Sequence, residues 1–321
     1  MGNWKLKMDS KTLDIIIVNW NAGDQLKECL MSVIDTDRDG FTLSQVIVVD
    51  NASVDGSLDE LDSLELPLKI IRNTENTGFG AACNQGSGIS KADYLLFLNP
   101  DTRLNADSLR VPVEYMESQQ NSKVGVCSIK LVNETGQADR TCTRLPKPGH
   151  FFVKIFGLDR IFPRVFRSHF MTEWDHESSR RVDHVIGAFY LIRRNIFNKL
   201  EGFDTRFFVY LEDLDLSNRV GKLGYEIQYI ADACAFHKGG GTSEQVKAKR
   251  LFYSLRSRVI YGFKHFNPFS AWIHFVATLI IEPFMRMVLA VLHRSVKEIK
   301  ETFEGYLMIY KDIANIIRKI R

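Results

Sequence analysis

Residues 13–34 read LDIIIVNWNAGDQLKECLMSVI, in which an apolar, β-branched run precedes a short polar turn and a helical pattern. The run Leu13–Val18 predicts a buried strand, and Asp24–Ile34 predicts a helix. The same alternation continues along the chain, with strands predicted at 45–49, 68–71 and 94–98 and helices at 58–64 and 80–90. Apolar strands separated by helices are typical of a mostly parallel sheet covered on both faces, which places the chain in the α/β class.

Four small, polar loops follow these predicted strands, and in a parallel sheet the carboxyl ends of the strands meet at one edge. The loops are rich in Asn, Asp, Ser and Gly and cover residues 19–21, 50–57, 73–78 and 99–102. Such residues also form turns and helix caps, as Ser53 or Asp55 would before the next helix. Four such loops together favour a ligand site with hydrogen-bond partners for a nucleobase and a ribose and with carboxylates for a divalent metal.

Beyond residue 120 the alternation loosens, and residues 130–183 form a connection longer than a compact domain needs. This aromatic-rich stretch predicts either a lid or a small helical subdomain that packs its own aromatic rings. Around it the pattern predicts strands at 124–129, 185–193 and 227–230 and helices at 194–200 and 212–221.

Two groups of carboxylates stand at predicted element boundaries. Asp101 follows a strand, where one carboxylate can hold Mg²⁺ or Mn²⁺ together with water and substrate phosphates. Glu212, Asp213 and Asp215 stand at a predicted helix N-terminus, which favours negative charge. Adjacent carboxylates raise one another's pKa, so Glu212 or Asp213 is a candidate general base, while Asp215 is expected to orient its neighbours. The alternatives are an ordinary turn and a charged helix start.

His237 precedes the glycine run Gly239–Gly241, which offers a ligand an unobstructed approach. Lys238 and Thr242 are placed to meet phosphate oxygens. A flexible domain boundary would produce the same glycine run. We prefer the ligand interpretation because the polar residues flank the glycines on both sides.

The composition, 45% hydrophobic and 25% charged over 321 residues, is that of a folded protein. A net charge of +3 argues against a dedicated nucleic-acid binder. Five cysteines without C-x-x-C spacing encode neither a disulfide framework nor a zinc ribbon, and we expect reduced, mostly buried thiols. The N-terminus lacks a secretory apolar region, and Leu6 stands where a myristoylation motif has Ser or Thr, so a cytoplasmic protein is expected.

The motifs along the chain are Ile17–Asn21, Val48–Ser53, Asn76–Gly80 with Asn84, Leu98–Asp101, Gly187–Phe189, Gly202–Asp204, Phe207–Phe208, Glu212–Asp215 and His237. In this order and spacing they resemble the inverting, nucleotide-sugar-dependent glycosyltransferases of family 2, and most of all its rhamnosyltransferase-like bacterial members. The resemblance runs from Leu13 to Ser243 and implies the GT-A fold, a Rossmann-like, mostly parallel sheet with helices on both faces.

The resemblance also implies roles for individual residues. Asp50 would recognise the pyrimidine of the donor, in a donor site that also contains Asn19, Asn76, Gly78, Asn84, Asn99 and Asp101. Asp101 and His237 would hold the metal, with Asn99 standing where the stricter motif has Asp. Asp213 would be the catalytic base, and the acceptor would contact Glu212, Gly187 and Trp174.

One base and one metal suffice for a single displacement at the anomeric carbon, so inversion is predicted. The expected reaction moves L-rhamnose from dTDP-L-rhamnose to a glycan or lipid-linked glycan in cell-surface polysaccharide synthesis. The alternatives are a UDP-sugar-dependent transferase of the same fold, a nucleotidyltransferase and a non-catalytic glycan-binding scaffold. The chain shows no Gly-rich phosphate loop after its first strand, which disfavours the nucleotidyltransferase.

The segment 244–321 is predicted to be a helical extension of the catalytic domain 1–243. It carries 14 Lys and Arg against 6 Asp and Glu, whereas residues 1–240 carry 28 against 33. Its apolar part, 269–292, is interrupted by Glu282 and Arg286 and is not expected to span a bilayer. Residues 297–321 predict a helix suited to anionic lipid on the inner face of the plasma membrane. Packing on the catalytic domain or formation of a homodimer is the alternative.

Overall fold

The structure is a computed structural model that describes residues 10–158, 162, 165–166, 169–239 and 247–320. Its strands are β1 Lys11–Asn19, β2 Phe41–Asp50, β3 Leu68–Arg72, β4 Tyr94–Leu98, β5 Thr102–Leu104, β6 Val124–Val132, β7 Cys142–Thr143, β8 Arg180–Val182, β9 His184–Val185, β10 Phe189–Arg193 and β11 Glu226–His237. Its helices are α1 Asp24–Ile34, α2 Phe79–Gly88, α3 Arg110–Glu117, α4 Pro148–Ile155, α5 Arg194–Lys199, α6 Glu212–Lys222, α7 Lys247–His265, α8 Pro268–Val276, α9 Glu282–Leu292 and α10 Val296–Ile320. A π-helical turn, Ala277–Ile281, joins α8 to α9.

One mixed sheet organises the catalytic part, in the order β3-β2-β1-β4-β10-β6-β11-β5, with β8 pairing with β11. Strands β3, β2, β1 and β4 are parallel, β10 is antiparallel to both neighbours, and β6 and β11 are again parallel. The carboxyl ends of six strands therefore share one edge with the start of β10. Apolar side chains fill both faces of the sheet, which confirms the predicted α/β class.

Several predicted elements need correction. The helix predicted at 58–64 is only the 3₁₀ turn Leu61–Ser63, because Asp55 and Ser53 are engaged in loop hydrogen bonds instead of helix caps. The strand predicted at 185–193 is broken at residues 186–188, and the strand predicted at 227–230 extends to His237. The helix Asp24–Ile34 and the strand Tyr94–Leu98 have the predicted bounds.

The long connection 130–183 belongs to no separate unit in its described part. Helix α4 buries Phe151 against Phe207, Leu214, Ile260 and Tyr261, which come from the catalytic domain and from α7. The C-terminal helices thus pack on the part of the chain that contains the sheet. Such packing was the predicted alternative to a helix that lies on lipid. The proposed boundary at residues 243 and 244 lies outside the described residues. All five cysteines are free thiols, and Cys234 alone among them is partly exposed.

Candidate active site

The first part of the site is a hydrogen-bonded rim at the ends of β1 and β2. Asn19 and Asp50 are register partners, and Asn19 Nδ2 donates to Asp50 Oδ1 (2.8 Å), Ser53 Oγ (3.0 Å) and Ser57 Oγ (2.7 Å). The other Asp50 oxygen accepts from the Ser53 amide at 3.2 Å. The two polar loops that the sequence placed on one edge therefore do meet there. Asp50 and Asn19 are buried and hold the rim in shape, and their contact with a nucleobase stays a prediction.

The third loop is joined to this rim through Asn51. Asn51 Nδ2 donates to the Gly78 carbonyl (3.3 Å), and its Oδ1 accepts from Asn73 and Thr77. Asn76 Oδ1 accepts from the Gly78 amide at 2.9 Å. At Gly78 φ is +90°, and an added Cβ would lie 2.4 Å from the Phe208 carbonyl oxygen. Only glycine fits this position, because both the left-handed backbone conformation and the neighbouring Phe208 segment exclude a side chain.

Asp101 and His237 form the second part of the site. His237 is the register partner of Thr102 across the β11–β5 pair, and this pairing brings His237 Nε2 to 3.4 Å from Asp101 Oδ1. The Lys238 amide donates to the Asp101 carbonyl at 3.1 Å. Beside them is a cleft of about 210 Å³, lined by Gln25, Glu28, Asp101, Arg103, Glu134, Phe236 and Lys238. The sequence did not single out Glu28, Arg103 or Glu134.

This pair fits a hard divalent cation that is completed by substrate. Both side chains are largely buried, Asp101 lines the open cleft, and the pair offers one carboxylate oxygen and one imidazole nitrogen. Among the described residues there is no group of three or more His, Cys, Asp or Glu placed to hold a metal. Two protein ligands leave room for diphosphate oxygens and water, which is the usual manner in which Mg²⁺ joins a phosphate substrate.

Asp213 is held in place by the backbone. Its Oδ2 accepts from the Gly187 amide and its Oδ1 from the Leu214 amide, both at 2.7 Å. The side chain remains 18% exposed. Two consecutive residues before helix α6, Tyr210 and Leu211, have left-handed φ angles of 69° and 66°. Strained backbone of this kind is found mainly at functional sites, where the surrounding packing enforces it.

Residues 187–188 connect Asp213 with the loop that contains Asn99 and Asp101. The Asn99 amide donates to the Ala188 carbonyl at 3.0 Å, one residue from the Gly187 amide that binds Asp213. The break in the predicted strand 185–193 thus has a use, because it turns the Gly187 N–H toward Asp213. The sequence suggested Gly187 as an acceptor contact, and the structure shows that it positions Asp213.

Glu212 differs sharply from its neighbour. It is buried, and its Oε2 has no hydrogen-bond partner among the described residues. Burial raises the pKa of Glu212 well above its ordinary value, and the adjacent Asp213 charge raises it further. Of the two candidate bases, Asp213 is favoured, because its carboxylate is partly exposed and held by two backbone amides, whereas Glu212 is buried. A direct acceptor contact by Glu212 is disfavoured by its burial.

A polar chain behind Asp213 escaped the sequence analysis. His184 Nε2 lies 4.0 Å from Asp213 Oδ2, His184 Nδ1 lies 3.0 Å from Ser217 Oγ, and Ser217 Oγ lies 3.2 Å from the Tyr190 hydroxyl. Burial lowers the pKa of His184, while the Asp213 charge opposes the shift. His184 is therefore a neutral neighbour of the base. A single histidine in a strand offers no sequence signal for this role.

Asp215 ties the catalytic helix to the C-terminal helices. It is fully buried, and its oxygens contact Arg219 Nε (2.8 Å), Lys264 Nζ (2.7 Å) and His265 Nε2 (2.7 Å). Burial alone would raise the pKa of Asp215, but the contacts with His265, Arg219 and Lys264 hold it below its ordinary value. The expectation that Asp215 orients its neighbours agrees with this arrangement.

Two predicted site residues have structural roles instead. Both polar groups of the Asn84 side chain bind the Phe203 backbone, at 2.8 and 2.9 Å, so Asn84 clamps α2 to this segment, and its contact with a donor stays a prediction. Trp174 is buried, stacks on His176 with ring centroids 4.0 Å apart, and packs against Tyr229. This packing leaves the indole no free face for an acceptor, and the proposed site excludes it.

Comparison with known proteins identifies the family. The sequence model of Glycosyl transferase family 2 matches residues 14–201, more than half of the chain. The chain therefore belongs to glycosyl transferase family 2 and is a glycosyltransferase. N-acetylglucosaminyl-diphospho-decaprenol L-rhamnosyltransferase of Mycobacterium tuberculosis is 24% identical over 265 residues, which cover 78% of this chain and 83% of that protein. Rhamnosyltransferase WbbL of Escherichia coli is 27% identical over 175 residues, 53% of this chain and 61% of that protein.

Solved structures share the fold. The mannosyltransferase PcManGT from Pyrobaculum calidifontis, in complex with GDP-Man and Mn²⁺, superposes with a TM-score of 0.53 at 17% identity, covering 96% of this chain and 84% of that one. TarS 1–349 of S. aureus, in complex with UDP-GlcNAc, gives 0.52 at 14% identity, covering 97% and 82%. These likenesses, together with the rhamnosyltransferase relatives, confirm the GT-A fold and the rhamnosyltransferase-like resemblance.

Proposed function

We propose that this protein is an inverting glycosyltransferase that moves L-rhamnose from dTDP-L-rhamnose to a hydroxyl group of a glycan or lipid-linked glycan acceptor. The observation that carries the proposal is the backbone-held, partly exposed Asp213 on the same sheet edge as Asp101, His237 and the Asn19–Asp50 rim. The choice of sugar is supported by the names of the two rhamnosyltransferase relatives, and the choice of a lipid-linked acceptor by the name of the mycobacterial one.

In this reaction Asp213 takes the proton of the acceptor hydroxyl while that oxygen attacks the anomeric carbon opposite the nucleoside diphosphate. The amides of Gly187 and Leu214 hold the carboxylate in position, and His184 lies behind it as a neutral group. Asp101 and His237 would hold Mg²⁺ or Mn²⁺, which when bound neutralises charge on the departing diphosphate. Retention would require a second carboxylate as nucleophile, and Glu212, which is buried and has a raised pKa, is poorly suited to that role.

The test is a panel of nucleotide sugars assayed for transfer and for slow hydrolysis. We expect turnover of a dTDP- or UDP-linked sugar, with dTDP-L-rhamnose preferred and with inverted anomeric configuration by NMR. A preference for UDP-sugars would change the donor but not the class. Pyrophosphate release from a nucleoside triphosphate and a sugar phosphate would indicate a nucleotidyltransferase, and glycan binding without any turnover would indicate a scaffold.

Asp213→Asn is the matched test of the base. Loss of the general base should lower kcat by about 10² to 10⁴-fold, while the Kd for the donor stays within about threefold, because the donor rim is untouched. Glu212→Gln is the matched control, because it replaces the neighbouring carboxyl group by an amide of the same size. A loss confined to Glu212→Gln, with Asp213→Asn active, would assign the base to Glu212 and refute the proposed mechanism.

We further propose that the enzyme works in the cytoplasm, at the inner face of the plasma membrane, where a lipid-linked acceptor would be presented. The decaprenol in the name of the mycobacterial relative supports such an acceptor. A homodimer through the C-terminal helices is the competing use of that region.

A further inference from the structure

The helix that runs from α8 into α9 carries an unusual outer face. Its exposed residues recur every three or four positions, so they line one side of the helix, and we call them the apolar stripe: Phe269, Trp272, Val276, Ile280, Phe284 and Val288. Phe269 and Phe284 are 75% and 67% exposed. A contiguous exposed apolar surface of this kind marks an interaction site in a folded protein.

The two charged residues that interrupt this sequence do not interrupt the stripe. Glu282 is 1% exposed and faces inward, where its carboxylate contacts Arg258 of α7 at 2.6 Å and Arg286 at 2.9 Å. These contacts hold the pKa of Glu282 below its ordinary value despite burial, which alone would raise it. The outer face therefore carries no charge, although the sequence of 269–292 does.

Part of the positive charge of the C-terminal segment is paired inside the protein. Arg256 pairs with Asp312 at 3.0 Å, Arg258 pairs with Glu282, and Lys264 pairs with Asp215. On the exposed part of α10, Lys300 lies 3.9 Å from Glu304. His293, which precedes this helix, lies 3.4 Å from Glu298. Ion pairs of this kind involve five of the 14 Lys and Arg residues of the segment, and the vesicle experiment below separates attraction of the others to anionic lipid from apolar insertion.

The chemistry of the stripe fits lipid better than a second copy of the chain. A protein interface carries about one hydrogen bond per 100–200 Å² and a polar rim. Of the six side chains in the stripe, only Trp272 has a polar atom. Antiparallel to α9, helix α10 adds the exposed Phe303, Leu307 and Tyr310, and the Tyr310 hydroxyl binds the Leu279 carbonyl at 2.6 Å. The apolar surface thus widens without gaining hydrogen-bonding groups on the stripe.

The helix that bears the stripe packs near the segment of Asp213. Leu214, which follows the base, packs in one cluster with Phe151 of α4. The centroids of the Phe151 ring and of the His274 ring of α8 lie 5.0 Å apart. Phe151 therefore lies between the segment of Asp213 and the helix that bears the stripe. Insertion of the stripe would hold this segment near the membrane surface.

We propose that the apolar stripe inserts in the plane of the bilayer, at the boundary between headgroups and acyl chains, and presents the active site to a lipid-linked acceptor. This proposal rests on the proposed function for its acceptor and on the stripe alone for its membrane contact. Residues 268–292 are long and apolar enough to cross a membrane, with a mean hydropathy of 2.0. The inward face is nevertheless packed on α4 and α7 and paired through Glu282, so the helix lies along the surface.

Vesicle flotation tests this surface. The full-length protein should bind pure phosphatidylcholine vesicles, with binding changed less than about threefold by one-third phosphatidylglycerol or by 1 M NaCl, since apolar insertion is not screened. Phe269→Glu and Phe284→Glu should each weaken binding about tenfold or more, because each replaces an aromatic side chain that would be buried in the lipid by a charged one. Met31→Glu on α1 is the control, since Met31 is as exposed as Trp272 at 51%.

Fluorescence gives a second readout that needs no charged variant. Bromine atoms near the headgroup end of the acyl chains should quench Trp272 more strongly than bromine atoms near the chain ends, and Trp272→Phe should remove that quenching. The stripe variants should keep donor binding and transfer to a water-soluble acceptor analogue. Failure of transfer with intact vesicle binding would count against the proposed function alone.

Three results would overturn the surface proposal. Binding only to phosphatidylglycerol vesicles, abolished by salt, would assign membrane contact to basic residues. A stable dimer in sedimentation, dissociated by Phe284→Glu, would assign the stripe to a second copy. Absence of binding to either vesicle by the folded protein would leave the stripe without a lipid role.

Discussion

Replacing the buried Asp215 by Asn should destabilise the whole protein, because it removes the shared acceptor of three positively charged or protonatable groups. Breaking one side of a buried charge cluster costs about 3–5 kcal/mol. The structure points to the lower end. Lys264 keeps Asp204 at 2.6 Å, Arg219 keeps two backbone carbonyls at 2.8 Å, and His265 can become neutral. A loss of about 3 kcal/mol corresponds to a fall in Tm of about 4–5 °C for a chain of 321 residues, with an unfolding entropy of about 2.1 cal/mol/K per residue.

Differential scanning calorimetry at pH 7 measures this change, with Asp107→Asn as the control. Asp107 contacts Arg110 in an exposed pair, and such pairs contribute about 0–1 kcal/mol. The pKa of Asp215 is lowered, so its stabilising contribution is present above the pKa of the unfolded state and is lost as pH falls through the folded value. The gap between wild type and Asp215→Asn should therefore close in acid. A Tm for Asp215→Asn within 2 °C of the Asp107→Asn value, taken as about the calorimetric error on this scale, would refute the reasoning.

Three further outcomes follow from the site and its surroundings. Asp101→Asn and His237→Ala should each weaken Mn²⁺-dependent donor binding about tenfold or more by calorimetry, and donor affinity unchanged by chelation in the wild type would contradict a metal role. Gly78→Ala should lower both stability and donor binding, because the new Cβ meets the Phe208 carbonyl, and a fully active, equally stable variant would contradict the close packing. Burial, reinforced by a nearby arginine charge and opposed by a glutamate, lowers the pKa of His274 to about 3, so wild-type stability should fall as pH drops from 6.5 toward 3, and His274→Leu should flatten that slope in pH-dependent melts.

Local pattern was sufficient for much of the fold. The alternation of apolar runs and helices fixed the sheet edge on which Asn19, Asp50 and Asp101 lie, because parallel strands have their carboxyl ends together. The long-range geometry was not readable in the same way. His184 approaches Asp213 only because β9 and α6 pack together, and a one-dimensional pattern contains no record of that contact.

Side-chain orientation was the other missing information. Asn84 and Trp174 have the residue types expected of ligand contacts, yet both are consumed by packing and backbone hydrogen bonds. Conversely, Glu282 looked like a charge in the path of an apolar segment, although it points inward to Arg258. Composition identifies which groups a segment holds, whereas the direction of each group depends on the tertiary partners that it finds.

The anchoring of Asp213 by main-chain amides has an evolutionary consequence. A carboxylate held by neighbouring side chains can be released by a single substitution in any of them, whereas the Gly187 and Leu214 N–H groups persist through almost every codon change at those positions. The Asp213 carboxylate is therefore insulated from drift in the surrounding sequence. Other loops of the site can diversify while the proposed proton acceptor stays where it is, and directed evolution of specificity should exploit that independence.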